Sequence, residues 1–267
     1  MEEKTTPDFN LDINLDIQLK RYPVDNLNNN IDIVNKNGGM LPINHKMDLY
    51  VCKLDKNVKI AYLSLPKCAS NEIRDIFNNL TNTKPRNLKR LEINIKDKND
   101  PRIKNMIIFS FIRNPWERFH SAFNMMMGKT SLELPNEFLK FTEDPDSSKK
   151  MPIHFNSAHW TPQYDQLITE NGEILPKYIG NINDLYPYIE NMINDLSMEQ
   201  NTKTRLINKL IKLKNEKKKT HVRNKNFNDN SYYLKYYNKK TYNNVAKYLE
   251  TDIKLFNFKN NLNVLKN

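Results

Sequence analysis

A chain of 267 residues can bury one substantial core, as a single α/β domain or as one domain with a small appendage. Its 38% hydrophobic content and mean hydropathy of −0.77 are polar for a globular protein, and its net charge of +11 favours polyanionic or phosphorylated partners without bearing on fold. Two cysteines, Cys52 and Cys68, exclude a disulfide framework, and no Cys/His spacing suggests zinc. The first residues, Met1-Glu2-Glu3-Lys4, open no apolar signal region and no stretch has the length of a membrane anchor, so a soluble, cytoplasmic protein is expected.

Residues 1–45 read as a polar, Asn/Asp-rich N-terminal arm, with a turn at Gly38-Gly39, ahead of one domain over residues 46–267. Met47 to Leu54 and Val58 to Leu65 predict two strands joined by a short turn at Asp55-Lys56-Asn57. The apolar run from Ile60 stops at Pro66, and Ser70 to Leu80 carries Ile73, Ile76, Phe77 and Leu80 at helical spacing, with Ser70 as candidate cap. Thr81 to Arg102 reads as a charged connection holding a short strand or helix. Asn105 to Ile112 is a continuous apolar run, expected to be a buried, parallel, central strand. Arg113-Asn114-Pro115 ends it, and Trp116, Phe119, Ala122, Phe123 and Met126 mark a core-facing helix that Pro115 opens. Pro135 to Phe141 predicts a short helix and Lys177 to Ile182 a short strand. Helices are expected over 183–196, 198–218, 232–237, 239–249 and 252–258. This alternation predicts a single α/β domain, a central parallel sheet flanked by helices.

Two of these junctions are candidate anion sites. After the second strand, the loop Leu65 to Ser70 offers backbone N–H groups and the positive end of a helix dipole, and Lys67 adds a full charge. It lacks the spacing of a Walker A loop, and the pattern also fits an ordinary strand–loop–helix with a surface lysine. Arg113 leaves the C-terminal end of the central strand, where open α/β sheets place their ligands. Ser121 follows eight positions later (121 − 113), so a guanidinium and a hydroxyl can converge on one oxyanion. Together the two loops can grip two phosphate groups of one nucleotide. Glu117 and Arg118 read as exposed helix charges, Trp116 and Phe119 as core, and His120 as packing or surface.

The pair of motifs resembles a known family. Leu65-Pro66-Lys67-Cys68-Ala69-Ser70 is similar to the 5′-phosphosulfate loop of sulfotransferases that use 3′-phosphoadenosine 5′-phosphosulfate (PAPS). The stretch from Phe111 to Phe123, with Arg113 and Ser121, resembles their 3′-phosphate motif. The most similar branch is family 2, the Golgi carbohydrate enzymes acting on chondroitin, dermatan and the HNK-1 glycan, and more distantly the heparan sulfate 2-O enzymes. His159-Trp160-Thr161-Pro162-Gln163, the Tyr178 to Leu185 junction, and Tyr236-Tyr237 through Phe256 are similar to further segments of that branch, so the resemblance runs over about 58–258.

The resemblance implies a P-loop-NTPase-like sulfotransferase fold, PAPS as co-substrate, 3′-phosphoadenosine 5′-phosphate (PAP) as product, no metal, and a glycan acceptor rather than nucleic acid. It places Pro66, Lys67, Cys68, Ala69, Ser70 and Asn71 on the sulfate-bearing end, with Lys67 catalytic, and Arg113 and Ser121 on the 3′-phosphate. Arg223 and Lys225 lie in a segment similar to the family's late nucleotide-covering loop. His159 is the first candidate for the base that takes the acceptor proton, His154 the second, and Glu72 the carboxylate alternative. Three features depart from the family: Asn71 stands where many members carry Ser or Thr, cysteines near the His-Trp segment are missing, and the membrane anchor is absent. Two other classes remain open. A nucleotide kinase or NTPase lacks its glycines and magnesium aspartate here, and a basic nucleic-acid-binding protein rests on charge alone.

Overall fold

The computed structural model describes residues 46–83, 88–94, 100–145, 157–169, 172–220 and 232–259. The N-terminal arm therefore lies outside the described residues. A five-stranded sheet runs through the domain in the order β3-β1-β2-β4-β5. Strands β1 (Lys46–Lys53) and β2 (Lys59–Leu63) form an antiparallel hairpin, paired from Leu49↔Leu63 to Lys53↔Lys59. The connection closes on itself through Leu54 N–H to the Val58 carbonyl (3.1 Å), and so short a turn cannot make a parallel crossover. The parallel part is built on β4 (Ile107–Ile112), which pairs with β2 on one side and β5 (Tyr178–Asn181) on the other.

The centre of the sheet, β2-β4-β5, is parallel as the sequence pattern predicts, and the β1–β3 edge adds antiparallel pairing. Strand β3 (Lys89–Asn94) pairs antiparallel with β1, so β1 alone runs against the other four strands. β3 is the element hidden in the charged connection, where apolar residues alternate with Lys89, Arg90 and Glu92. That composition suits an edge strand. Ion pairs Arg90–Asp48 (2.7 Å) and Lys46–Glu92 (2.9 Å) lie across the β1–β3 ladder.

Alternation along β4 divides the core. Phe109 and Phe111 face α1 (Ser70–Leu80), α4 (Leu185–Asp195) and α5 (Gln200–Thr220), through Ile73, Phe77, Ile189, Met192, Leu206 and Leu210. Ile108 and Ile112 face the opposite side, against Tyr164, Leu167 and α7 (Glu250–Leu255). A third cluster joins α2 (Pro115–Met127), α3 (Pro135–Glu143) and α6 (Lys239–Tyr248) through Trp116, Phe119, Phe123, Phe138, Phe141, Tyr242 and Val245. Tyr232–Tyr236 forms a 3₁₀ turn, and Tyr233 and Tyr237 belong to the core. α5 lies antiparallel along α1: Lys209 reaches Asn82 Oδ1 (2.6 Å) past the end of α1, and Lys217 pairs with Glu72 at its start. Among the described residues no helix is long and apolar enough to cross a membrane.

Gly180 shows why β5 tolerates no side chain at its centre. It lies opposite Phe111, and a Cβ there would meet Phe111 Cε1 at 2.5 Å and Tyr188 Cδ1 at 2.7 Å. The two aromatic rings meet edge to face at 5.5 Å over this position. Gly180→Ala is expected to cost about 1–3 kcal/mol through overpacking, read as a lower midpoint in denaturant unfolding at unchanged slope.

Candidate functional site

The loop after β2 is built from strained backbone held by outside donors. Lys67 (φ 66°) and Ala69 (φ 56°) both adopt the left-handed conformation, which costs an L-residue roughly 1–2 kcal/mol. Ser70 Oγ donates to the Leu65 carbonyl (3.0 Å) and lies 2.9 Å from Ser64 Oγ, which donates to it. The Tyr62 hydroxyl joins them at 3.3 Å. Ser70 is therefore not the helix cap. Ala69 is, and it offers no side-chain acceptor to the first N–H groups of α1. Those groups have no partner within the helix, which suits them to an anion.

Arg113 comes to this loop from the end of β4. Its Nη1 donates to the Lys67 carbonyl (3.3 Å) and its Nε to Glu117 Oε2 (3.1 Å). Burial lowers the Lys67 pKa, and the Arg113 charge lowers it further. An anion placed against both cations would relieve that repulsion. Glu117 is buried, not an exposed helix charge, and burial raises its carboxyl pKa against the opposing pull of Arg113. The reason is position: four residues after Arg113, it is the one acid that can anchor that guanidinium on α2.

Arg118 overturns the same expectation more completely. It is 0% exposed. Its Nε donates to the Pro66 carbonyl (3.1 Å), Nη1 to Thr161 (2.7 Å) and Nη2 to Ala158 (2.7 Å). One guanidinium thus holds the backbone beside Lys67 and the backbone beside His159. A signal was present in the sequence: Arg118 falls four residues before Ala122, on the stripe that packs inward. Gln163, fully buried, is the second residue missed. Its amide pairs with the backbone of Arg113, donating to the carbonyl (2.9 Å) and accepting from the N–H (2.8 Å).

The remaining candidates are distributed as follows. Cys68 is buried at the base of the loop, and burial pushes its thiol up to about 11, so it is a packing residue with a weak donor. Asn71 is exposed, and its Oδ1 accepts from Arg74. Glu72 pairs with Lys217. Ser121 is half-buried two turns along α2. His159 is half-buried at the end of the 3₁₀ turn Ser157–His159, and Trp160 packs edge-on against Phe141 at 5.6 Å. His154, Arg223 and Lys225 lie outside the described residues. On the two sides of residues 221–231, Lys217 pairs beside the loop and Tyr233 lies 3.4 Å from the Asn114 amide, next to Arg113.

A cationic loop at the C-terminal ends of parallel strands, facing an arginine from the neighbouring strand, is the place where α/β sheets bind anionic ligands. The model of the sulfotransferase family, family 2, matches residues 52–259, and the chain belongs to that family. It is accordingly a sulfuryl-transferring enzyme. No curated protein and no solved structure matches it significantly.

Two outcomes follow from this geometry. Arg118→Met strips the Pro66 carbonyl of its donor, and is expected to destabilise the fold by on the order of 3 kcal/mol in denaturant unfolding. His120 is buried, stacked on Tyr236 at 4.0 Å, and its Nε2 finds no partner among the described residues. Burial, then Arg113 and Lys235, push its pKa down to about 4, from the 6.5 of an unperturbed imidazole. Between those values the unfolded chain binds more protons, so this contribution to stability is complete above about pH 6.5 and declines as pH falls toward 4. His120→Phe is expected to flatten that part of the pH–Tm profile.

Proposed function

We propose that the chain moves the sulfuryl group of PAPS to a hydroxyl of a carbohydrate acceptor, in line and without a metal. The observation that carries this reading is the contact of Arg113 with the Lys67 carbonyl at 3.3 Å, which brings cations from two neighbouring parallel strands to one spot. A donor with two anionic groups fits such a site, and the sulfotransferase family generally uses PAPS. Residues Pro66 to Asn71 would hold its 5′ end. Lys67 and the first N–H groups of α1 would stabilise the charge that grows on the leaving oxygen. Arg113 and Ser121 would hold the 3′-phosphate and orient the donor, with Arg223 and Lys225 assigned there by resemblance.

His159 is the base this reading favours, because Arg118 fixes the neighbouring Ala158 in the frame that also holds the loop. His154 is the second candidate. Glu72 is the weakest, since its carboxylate is committed to Lys217. At 100-fold excess over its dissociation constant, PAP is expected to stabilise the protein by about 2.7 kcal/mol, and ATP–Mg²⁺ to leave the Tm unchanged. Arg113→Ala abolishes the PAP shift, while Lys67→Met lowers kcat roughly 10²–10³-fold with labelled PAPS on a glycan panel. Equal stabilisation by ATP–Mg²⁺ would support a nucleotide kinase instead. No shift from PAP, together with steeply salt-dependent DNA or RNA binding, would support a nucleic-acid protein.

A further inference from the structure

Gln163 joins the two anion-binding loops. β2 pairs with β4 only as far as Leu63↔Ser110, and β4 with β5 only as far as Ile112↔Asn181. Arg113 directly follows the last residue of β4. The Gln163 amide meets it in the manner of a strand, through both the N–H and the carbonyl of Arg113. The same Oε1 accepts from the Cys68 thiol (3.3 Å), in the loop that carries Lys67. The last amide hydrogen goes to Asp252 Oδ2 (3.2 Å). Every donor and acceptor of this buried side chain is thereby used.

Asp252 fixes which way the amide faces. It is fully buried on α7, and accepts from the backbone N–H of Gln163 (2.7 Å) and of Tyr164 (2.9 Å). A carboxylate facing Nε2 stabilises this orientation, whereas the flipped amide would set Oε1 against a negative charge. Flipping would also turn the amide nitrogen toward the N–H of Arg113. A side chain from the end of the chain thus holds an amide that spaces two loops near its middle.

We propose that Gln163, oriented by Asp252, is a positioning residue that sets the separation between the Lys67 loop and Arg113, and so selects a donor carrying two anionic groups. This rests on the donor reading above. Its consequence is a chelate effect: two grips at the correct spacing bind a two-phosphate ligand far better than either phosphate alone. A change in spacing removes that advantage and leaves each single grip almost intact.

The test is the affinity of folded protein, by calorimetry, for PAP, AMP and adenosine 3′-phosphate. In the wild type, PAP is expected to bind well above both mononucleotides. Gln163→Leu is expected to cut that advantage by about tenfold or more, with the mononucleotide affinities within about threefold of wild type. Should Gln163→Leu fail to fold, Asp252→Asn, which keeps the volume but releases the amide, is expected to give the same selective loss. An unchanged PAP advantage, or an equal fall for all three ligands, overturns the proposal. A wild-type protein with no preference for PAP over the mononucleotides overturns the donor reading and this inference with it.

Discussion

The buried guanidinium of Arg118 is the constraint on which the site depends. Three carbonyls, of Pro66, Ala158 and Thr161, accept from it inside the protein, and none lies in an α-helix or strand. A loop that leaves a sheet and a segment made of 3₁₀ turns both carry acceptors that no ladder can satisfy, and burying them unpaired is costly. Arginine alone offers enough fixed donors to serve several at once while keeping its charge. The charge itself must be compensated, since desolvation of an ion costs several kcal/mol. Burial disfavours the charged form of Arg118, and Cys68, then the buried carboxylate of Asp252, favour it. Gln166 shares the load, donating to Ala158 (2.9 Å) and Thr161 (3.2 Å).

This explains the uneven legibility of the sequence. Periodicity carried the hairpin, β4, α1 and α2, because Ile108, Phe109, Phe111, Ile73 and Trp116 face the core at regular intervals. Pro115 at the start of α2 was equally plain, and the structure adds Asn114 accepting from Trp116 and Glu117 and Gly128 in the left-handed conformation after the last turn. The approach of Arg113 to the loop that carries Lys67 was legible too, because both leave the C-terminal ends of neighbouring parallel strands. The pairing of β3 was not, since it lies in a charged connection with weak periodicity, whereas the antiparallel run of β1 was implicit in its short turn to β2. Arg118 and Glu117 were misread by residue type. Helical position placed one on the inward stripe and the other under Arg113, and position prevailed over polarity because each found partners.

The electrostatics of the site follow from the same partners. Glu117 neutralises one edge of the Arg113 guanidinium and fixes its direction, while another nitrogen turns to the Lys67 carbonyl. For Lys67, burial and then Arg113 disfavour the charge, with Cys68 opposing them. An oxyanion at this point gains from both cations, and the repulsion between them is highest when it is absent. Under the proposed reading such a site would stabilise growing negative charge without reorganising, which is the condition for electrostatic catalysis.

The composition of the loop sharpens the point. Phosphate loops commonly use glycine where the backbone turns left-handed, because glycine does so without steric cost. Here the turns are made by Lys67 and Ala69, in a chain with only five glycines. The conformation is then not a property of the loop's own sequence. It must be imposed by the contacts around it: Ser70 on Leu65, Arg118 on Pro66, Arg113 on Lys67, and Cys68 on Gln163. The partners of those last three contacts come from α2, the end of β4 and the 163 segment, so the cradle forms only when the domain has closed around it. A local reading of Leu65 to Ser70 cannot separate this loop from an ordinary one, since the contacts that hold it lie between about forty and one hundred residues further along the chain.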